Sequence, residues 1–319
     1  MVDSPYGKIL IKNMVNVLVI GGGSIAKKHV EILNKLNFRV YSYTNNDNFY
    51  KNKNKIIRIK NFEKLPELLF VVIANSTNKH LKYLNLFIKK KINIYCEKPI
   101  YFKKFNYLKL RKLIKTNNIK FFCGYQLLRD SKVHYVKRKL RNLKINSFIS
   151  TVGHDYNFWR KNKSSKNSYY NNVSSGGGVI FELIHEINLI NYLVGDIDLI
   201  KSFKINSKNY NCDIIASSII KTKKKIIGTL YQDMFSKKFF RQFKIITNKK
   251  NIEIDFVRNV VFDDNKIIKF KSKNTQIILI EKNLKHFIKQ LKDNKISIKS
   301  FNDSVRDLKN CLEMHASSK

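Results

Sequence analysis

The sequence predicts an α/β protein of two domains. The first is built on a parallel sheet flanked by helices, and the second is an α+β domain on a largely antiparallel open sheet. Three observations carry this. Strand-like and helix-like segments alternate through the first 125 residues, the pattern of βαβ units. Beyond them, β-branched stretches follow one another through turns rather than helices, as antiparallel strands do. The chain has 319 residues, 43% of them hydrophobic, enough for two packed cores and too apolar for disorder. The boundary falls near residue 125, giving domains 1–125 and 126–319, and no internal repeat is visible.

In order, Val15–Ile20 reads as a buried strand, Ser24–Leu36 as a helix, and Arg39–Tyr43 and Leu69–Ala74 as strands. Leu81–Lys90 is amphipathic. Ile92–Cys96 and Lys120–Cys123 close the first sheet around a helix from about Lys103 to Lys115. The second half opens on a helical Val133–Leu140. The strands Ile145–Val152, Ile214–Lys221, Lys225–Gln232, Phe243–Thr247, Ile252–Phe256 and Lys266–Lys271 follow. One helix, Val179–Leu193, interrupts them, and two more end the chain. The alternation in Asp213–Thr222 is too irregular to establish an exposed apolar face.

The formal charge is +40, from 63 Lys and Arg against 23 Asp and Glu. Such a balance ordinarily points to nucleic acid or an anionic surface. Here the excess is mostly Lys, spread end to end and accompanied by abundant Asn and Ile, the residues of A/T-rich codons. Arg, the better reader of phosphate and bases, is scarce. The expectation is therefore no nucleic-acid and no membrane partner, with a residual attraction for anionic substrates. Cys96, Cys123, Cys212 and Cys311 are widely spaced, with no CxxC pair and no His at metal-ligand spacing, so free thiols and no metal are expected. No apolar run reaches the ~18 residues of a membrane span, and Met1 to Asn13 lack a signal-peptide pattern. The expected location is cytoplasmic, and Met14, directly before the first strand, is a candidate start.

The first chemistry-bearing motif is Gly21-Gly22-Gly23-Ser24-Ile25-Ala26, which fits G-x-G-x-x-A between a strand and a helix. Gly21 permits the tight turn, Gly23 lets backbone approach a pyrophosphate, and Ala26 lets the helix lie close on the strand. The N–H groups of the helix start would face the phosphates. The acidic residue that would hold the ribose hydroxyls about 20 residues on is missing. Tyr41-Ser42-Tyr43-Thr44-Asn45 stands there, with no carboxylate before Asp47. That favours NADP slightly, with Ser42, Thr44 or Asn45 as donors. Asp47 curling back, or hydroxyls serving NAD, is the alternative.

Two further constellations follow. Cys96-Glu97-Lys98-Pro99 ends a parallel strand, where open α/β sheets bind ligands, and Pro99 restricts Lys98 to extended geometry. Lys98 in that position can polarise a substrate hydroxyl. Ser175-Gly176-Gly177-Gly178 then leads into a helix carrying Glu182, His185 and Asn188 three residues apart, on one stripe. Glu182 can orient His185, which exchanges a proton near neutral pH. A buried His with a bonded carboxylate is the competing structural reading.

Together these motifs, with Val72–His80, Gly124-Tyr125-Gln126, Arg241–Asp255 and Phe301–Ser318, resemble the Gfo/Idh/MocA family of oxidoreductases over nearly the whole chain. The segment from Gly176 to Asn188, with Trp159, Arg160 and Tyr169 upstream, is most similar to members associated with surface-polysaccharide sugar synthesis. The resemblance implies hydride transfer between NAD or NADP and a carbon of a sugar, nucleotide-linked or acidic. Lys98 and His185 would handle the hydroxyl proton, with Glu182 in the place of a usual Asp. It implies that Asn75, Ser76, His80, Glu97 and Lys98 contact the cofactor along with Gly21, Gly23, Ser24, Ile25 and Ala26. Arg160, Tyr169, Asn188 and Tyr125 would contact the sugar, and a homodimer or homotetramer would form through the C-terminal sheet.

The sequence departs from the family pattern at several places. Glu182 lies three residues before the His rather than four, Asn188 replaces a common Asp, and Ser76 replaces a usual Pro. Asn248 and Asn251 stand near positions of Gly, where Asn best tolerates left-handed backbone. These departures motivate a second expectation, a nicotinamide-binding sensor or scaffold without turnover.

Overall fold

A computed structural model describes residues 14–50, 55–155, 172–207, 211–271, 275–292 and 298–317. It divides into two units. The first comprises residues 1–97, 106–124 and 283–301, and the second 98–105, 125–282 and 302–319. The chain crosses between the units after Glu97 and again at Gly124–Tyr125, and its penultimate helix returns to the first.

In the first unit, β1 (Asn16–Ile20), β2 (Arg39–Tyr43), β3 (Ile56–Arg58), β4 (Phe70–Ile73), β5 (Asn93–Cys96) and β6 (Phe121–Cys123) form a sheet of order β3-β2-β1-β4-β5-β6. Every pairing is parallel. Val17 to Ile20 and Phe70 to Ile73 are buried on both faces, as a sheet covered by helices requires. α1 (Ser24–Lys35), α2 (His80–Lys89) and α3 (Tyr107–Thr116) connect the strands. Ala26, Val30 and Leu33 form the buried stripe of α1, and Leu84, Phe87 and Ile88 that of α2. The returning segment packs on this sheet. Phe287 meets Phe70 at 5.3 Å and Tyr95 at 5.8 Å between ring centroids, and Phe301 meets Phe121 at 5.2 Å. These rings bury area that the sheet would otherwise expose.

In the second unit, β7 (Ile145–Gly153), β8 (Ile197–Asn206), β9 (Asp213–Thr222), β10 (Ile227–Asp233), β11 (Phe240–Thr247), β12 (Asn251–Asp255), β13 (Val260–Asp263) and β14 (Lys266–Lys269) are ordered β14-β13-β12-β11-β7-β10-β9-β8. All pairings are antiparallel except β7 with β10. The expected fold class holds, with β3, β8 and β13 added to the strands read from sequence. One face of this sheet is buried through Phe148, Ile200, Ala216, Ile220, Leu230 and Phe243. The other exposes Ile149, Leu199, Phe203, Ile219, Ile227 and Tyr231. An apolar open face is therefore present although Asp213–Thr222 did not reveal it. Asn248 and Asn251 are not left-handed; Asn259 and Asp264, flanking β13, are.

The helices of this unit are α4 (Ser131–Lys139), α5 (Val179–Glu182), α6 (His185–Leu193) and α8 (Lys299–Ser317), while α7 (Gln276–Leu291) spans the crossing into the first unit. The single helix expected over Val179–Leu193 is broken at Leu183 and Ile184. Leu183 leaves helical geometry at φ −102° and ψ 29°, and the N–H of Ile184 bonds the carbonyl of Phe181 rather than Ile180. At the break the Glu182 carbonyl takes a side-chain donor, and the Leu183 carbonyl, which already accepts the Glu186 N–H at 3.2 Å, takes another. Lys98 Nζ donates to the Glu182 oxygen at 2.6 Å, and Gln232 Nε2 to the Leu183 oxygen at 3.0 Å. Burial without such partners would cost about 1–3 kcal/mol per group.

Candidate active site

The glycine turn is built as the motif requires. Gly21 sits at φ +126°, and a Cβ there would lie 2.5 Å from the Ala74 carbonyl oxygen. Gly22 is crowded from the side by Thr44, and Asn46 Nδ2 donates to its carbonyl at 3.2 Å. Nothing lies within 4 Å of a Cβ at Gly23, and no side chain caps the first turn of α1. Gly23 and Ser24 are exposed, Ile25 half-buried and Ala26 buried. Beside Gly21, the Asn75 side chain has both amide atoms buried and without a hydrogen-bond partner among the described residues. An open glycine, an uncapped helix start and an orphaned amide fit a dinucleotide pyrophosphate and its neighbouring polar groups.

Some expected cofactor contacts lie elsewhere. Ser42 is fully buried within β2 with its hydroxyl unpartnered among the described residues, and Thr44 lies against Gly22. His80 is buried too. Its Nε2 bonds the Asn75 carbonyl oxygen at 3.1 Å and its Nδ1 faces Cys96 Sγ at 3.7 Å, so it braces the loop that carries Asn75. Ser76 is half-buried and extended, with φ −64° at the start of the following turn, so it takes a backbone shape that the usual Pro would also take. Asp47 lies beyond the end of β2 and pairs with Arg58 at 2.8 Å. Glu97 Oε1 meets His29 Nε2 at 2.7 Å, tying α1 to the end of β5. Gly124 leaves space for that carboxylate: a Cβ there would lie 3.1 Å from both oxygens.

In the second unit Lys98, Tyr125 and His185 come together. Lys98, followed by a cis Pro99, is fixed by the Glu182 carbonyl, and the rings of Tyr125 and His185 stand edge to face at 6.1 Å. His185 is 3% exposed, and neither ring nitrogen has a hydrogen-bond partner among the described residues. Burial holds its pKa well below the usual value, and the cations of Lys98 and Arg241 add to this, so the ring is neutral at pH 7. The structure does not join Glu182 and His185 by a hydrogen bond. The Cys212 thiol is pushed up to about 12 by burial, then by Asp213 and Glu182. Asn188 is half engaged in the core. Its Nδ2 donates to buried Asp307 at 2.7 Å, linking α6 and α8, while its Oδ1 is buried without a hydrogen-bond partner among the described residues. Arg160 and Tyr169 lie outside the described residues.

Sequence reasoning missed Glu186, Arg241, Asp307, Asp213 and Gln232. Glu186, buried beside His185, pairs with Arg241 Nε at 2.9 Å. Asp213 Oδ2 accepts the Ile180 N–H at 2.9 Å, and its carboxylate fills the space that a Cβ on Gly178 would need. The only local signal for Arg241 was an arginine, a residue scarce in this chain. The four cysteines are buried and free, and no metal-binding group of His, Cys, Asp or Glu occurs among the described residues. No helix among them is long and apolar enough to cross a membrane.

No family model and no curated protein matches the sequence. Solved structures match the fold. Myo-inositol 2-dehydrogenase from Lactobacillus plantarum is 18% identical, with 96% of this chain and 97% of that one covered at a TM-score of 0.80. Levoglucosan dehydrogenase, solved with NADH and levoglucosan, is 15% identical over 96% and 97% at 0.82. UDP-N-acetylglucosamine 3-dehydrogenase from Acidithiobacillus ferrooxidans is 12% identical over 96% and 98% at 0.78. These neighbours are Gfo/Idh/MocA-type dehydrogenases, and the chain has their two-domain fold.

Proposed function

We propose that the protein is a nicotinamide-dependent oxidoreductase acting on a CH–OH carbon of a sugar, nucleotide-linked or acidic. The observation that carries this is a buried, neutral, unpartnered His185 grouped with a Lys98 whose ammonium is fixed on the Glu182 carbonyl. The names of the structural neighbours, dehydrogenases of inositol, levoglucosan and a nucleotide sugar, support it.

The dinucleotide would be held by Gly21 to Ala26, Thr44 and Asn75, and it supplies hydride exchange at its nicotinamide ring. The chain handles the proton. Neutral His185 accepts it from the substrate hydroxyl, and Lys98 steadies the oxygen as negative charge develops there. Tyr125 packs against the imidazole and limits its rotation. Either dinucleotide is compatible with the reading. The end of β2 lacks a carboxylate, which favours NADP, whereas the neighbours' complexes hold NAD or NADH.

Replacing Lys98 with Met is expected to lower turnover about 10²-fold or more while cofactor affinity stays within about threefold. A stopped assay of nicotinamide absorbance across a sugar panel, paired with cofactor titration, checks this; unchanged turnover in the variant overturns the assignment. The second reading, a nicotinamide-binding sensor, draws on the absence of a Glu182–His185 bond. It predicts that cofactor raises the melting temperature while no sugar changes its redox state.

A further inference from the structure

Arg241 is not explained by its pairing with Glu186. A guanidinium offers five N–H donors in a planar fork. Glu186, 1% exposed, takes the Nε side at 2.9 Å. The terminal nitrogens have no hydrogen-bond partner among the described residues, and they are not among the atoms sealed from solvent. The arginine side chain is 16% exposed, and its guanidinium carbon lies 5.8 Å from the centre of the Phe239 ring. The fork is therefore held from behind by a buried carboxylate and an aromatic face, with its donating end open.

Its surroundings are electrostatically unbalanced. His185 is neutral and has two unpartnered nitrogens, and the charges that act on it are the cations of Lys98 and Arg241. Glu186 balances at most one positive charge. Burial also raises its own pKa, which opposes its ionisation. A guanidinium with its Nε side buried and its terminal nitrogens open presents that end to a second anion. Its planar fork matches the two oxygens of a carboxylate or phosphate.

We infer that Arg241 anchors an oxyanion on the substrate, so that the site selects acidic or phosphorylated sugars over neutral ones. This rests on the sugar-oxidoreductase reading above and names the residue that would confer its substrate class. Arg241 is the specificity-determining residue, bound through its terminal nitrogens, while Glu186 holds the guanidinium in place.

The test uses the full chain loaded with NADH and titrated with matched probes: glucose and galactose against glucuronate, galacturonate, glucose 1-phosphate and UDP-glucose. Binding is read by thermal shift and NADH fluorescence at two salt concentrations. At least one anionic probe should bind about tenfold or more tightly than its neutral counterpart, with an advantage that shrinks in salt. The uronates and the phosphate esters distinguish a carboxylate from a phosphate. R241Q should abolish the advantage, and R241K should keep part of it. Because R241Q strands Glu186, the double variant R241Q/E186Q, neutral throughout, repeats the measurement with NADH binding as the folding control. Equal affinity for neutral and anionic probes, including none for either, overturns the inference, as does an advantage that survives both variants. If a neutral sugar is turned over without anionic preference, the inference fails and the oxidoreductase reading stands. If an anionic sugar binds through Arg241 without redox change, the reverse holds.

Discussion

His185 is where burial does most to set chemistry. An exposed imidazole is half-protonated near pH 6.5. Burial, followed by Lys98 and Arg241, keeps His185 neutral to a lower pH. A general base must be neutral to act, so kcat/KM for sugar oxidation should hold level as pH falls through 6.5 and decline only below it. The linkage to stability has the same direction. As pH drops below about 6.5 the unfolded chain takes up the proton first, so this residue's contribution to stability falls with pH until the folded ring also protonates. Removing one cation should raise its pKa. NMR titration of the His185 ring in Lys98→Met should move toward the ordinary value while remaining below it, since burial persists. An unshifted titration would mean that Lys98 does not act on the ring. Little of this was legible in sequence. His185 and Lys98 stood out by motif, but neutrality depends first on enclosure that no local pattern encodes, and only then on Lys98 and Arg241.

At the scale of elements, the helix break and the α6–α8 clamp were hidden for the same reason. Between Val179 and Leu193 there is no Gly or Pro to mark an interruption. The break is stabilised from outside, by Lys98 and Gln232 on the carbonyls of Glu182 and Leu183. The strands missed were short or two-faced: β13 has four residues, and β8 carries Phe203 and Ile205 on its solvent side, which blurs alternation. The clamp also gives a physical reason for Asn188. Buried Asp307 accepts from Asn188 Nδ2 at 2.7 Å, from Asn191 Nδ2 at 2.8 Å and from Arg306, so a carboxylate at 188 would face another. Asn188→Asp is expected to cost about 1–3 kcal/mol at neutral pH, with less loss in acid, where one of the two carboxylates holds a proton. The exchange Asn188→Asp with Asp307→Asn should recover most of it. Urea unfolding at pH 5 and pH 8 measures both, and a double variant no better than the single one would argue that the two residues are not paired.

For the whole molecule, the question is what covers the open sheet. Phe203 is 77% exposed and Ile219 59%, with Ile227 and Leu199 on the same face. β8, β9 and β10 are joined in register, so these side chains form one patch rather than scattered apolar residues. A contiguous apolar face of this kind is uncommon on an isolated soluble chain. Lys201 and Lys221 on neighbouring positions put like charge beside it, which disfavours unspecific stacking unless each apolar residue meets its counterpart. A two-fold pairing of this face with a second copy satisfies both demands, because one self-complementary patch then buries both surfaces. The predicted species is a dimer, or a tetramer built from it. Phe203→Lys together with Ile219→Lys should shift the sedimentation coefficient to that of a monomer and leave the glycine turn, in the other unit, able to bind cofactor. A wild-type chain that sediments as a monomer at micromolar concentration would remove the pairing. A double variant that stays oligomeric would place the interface elsewhere.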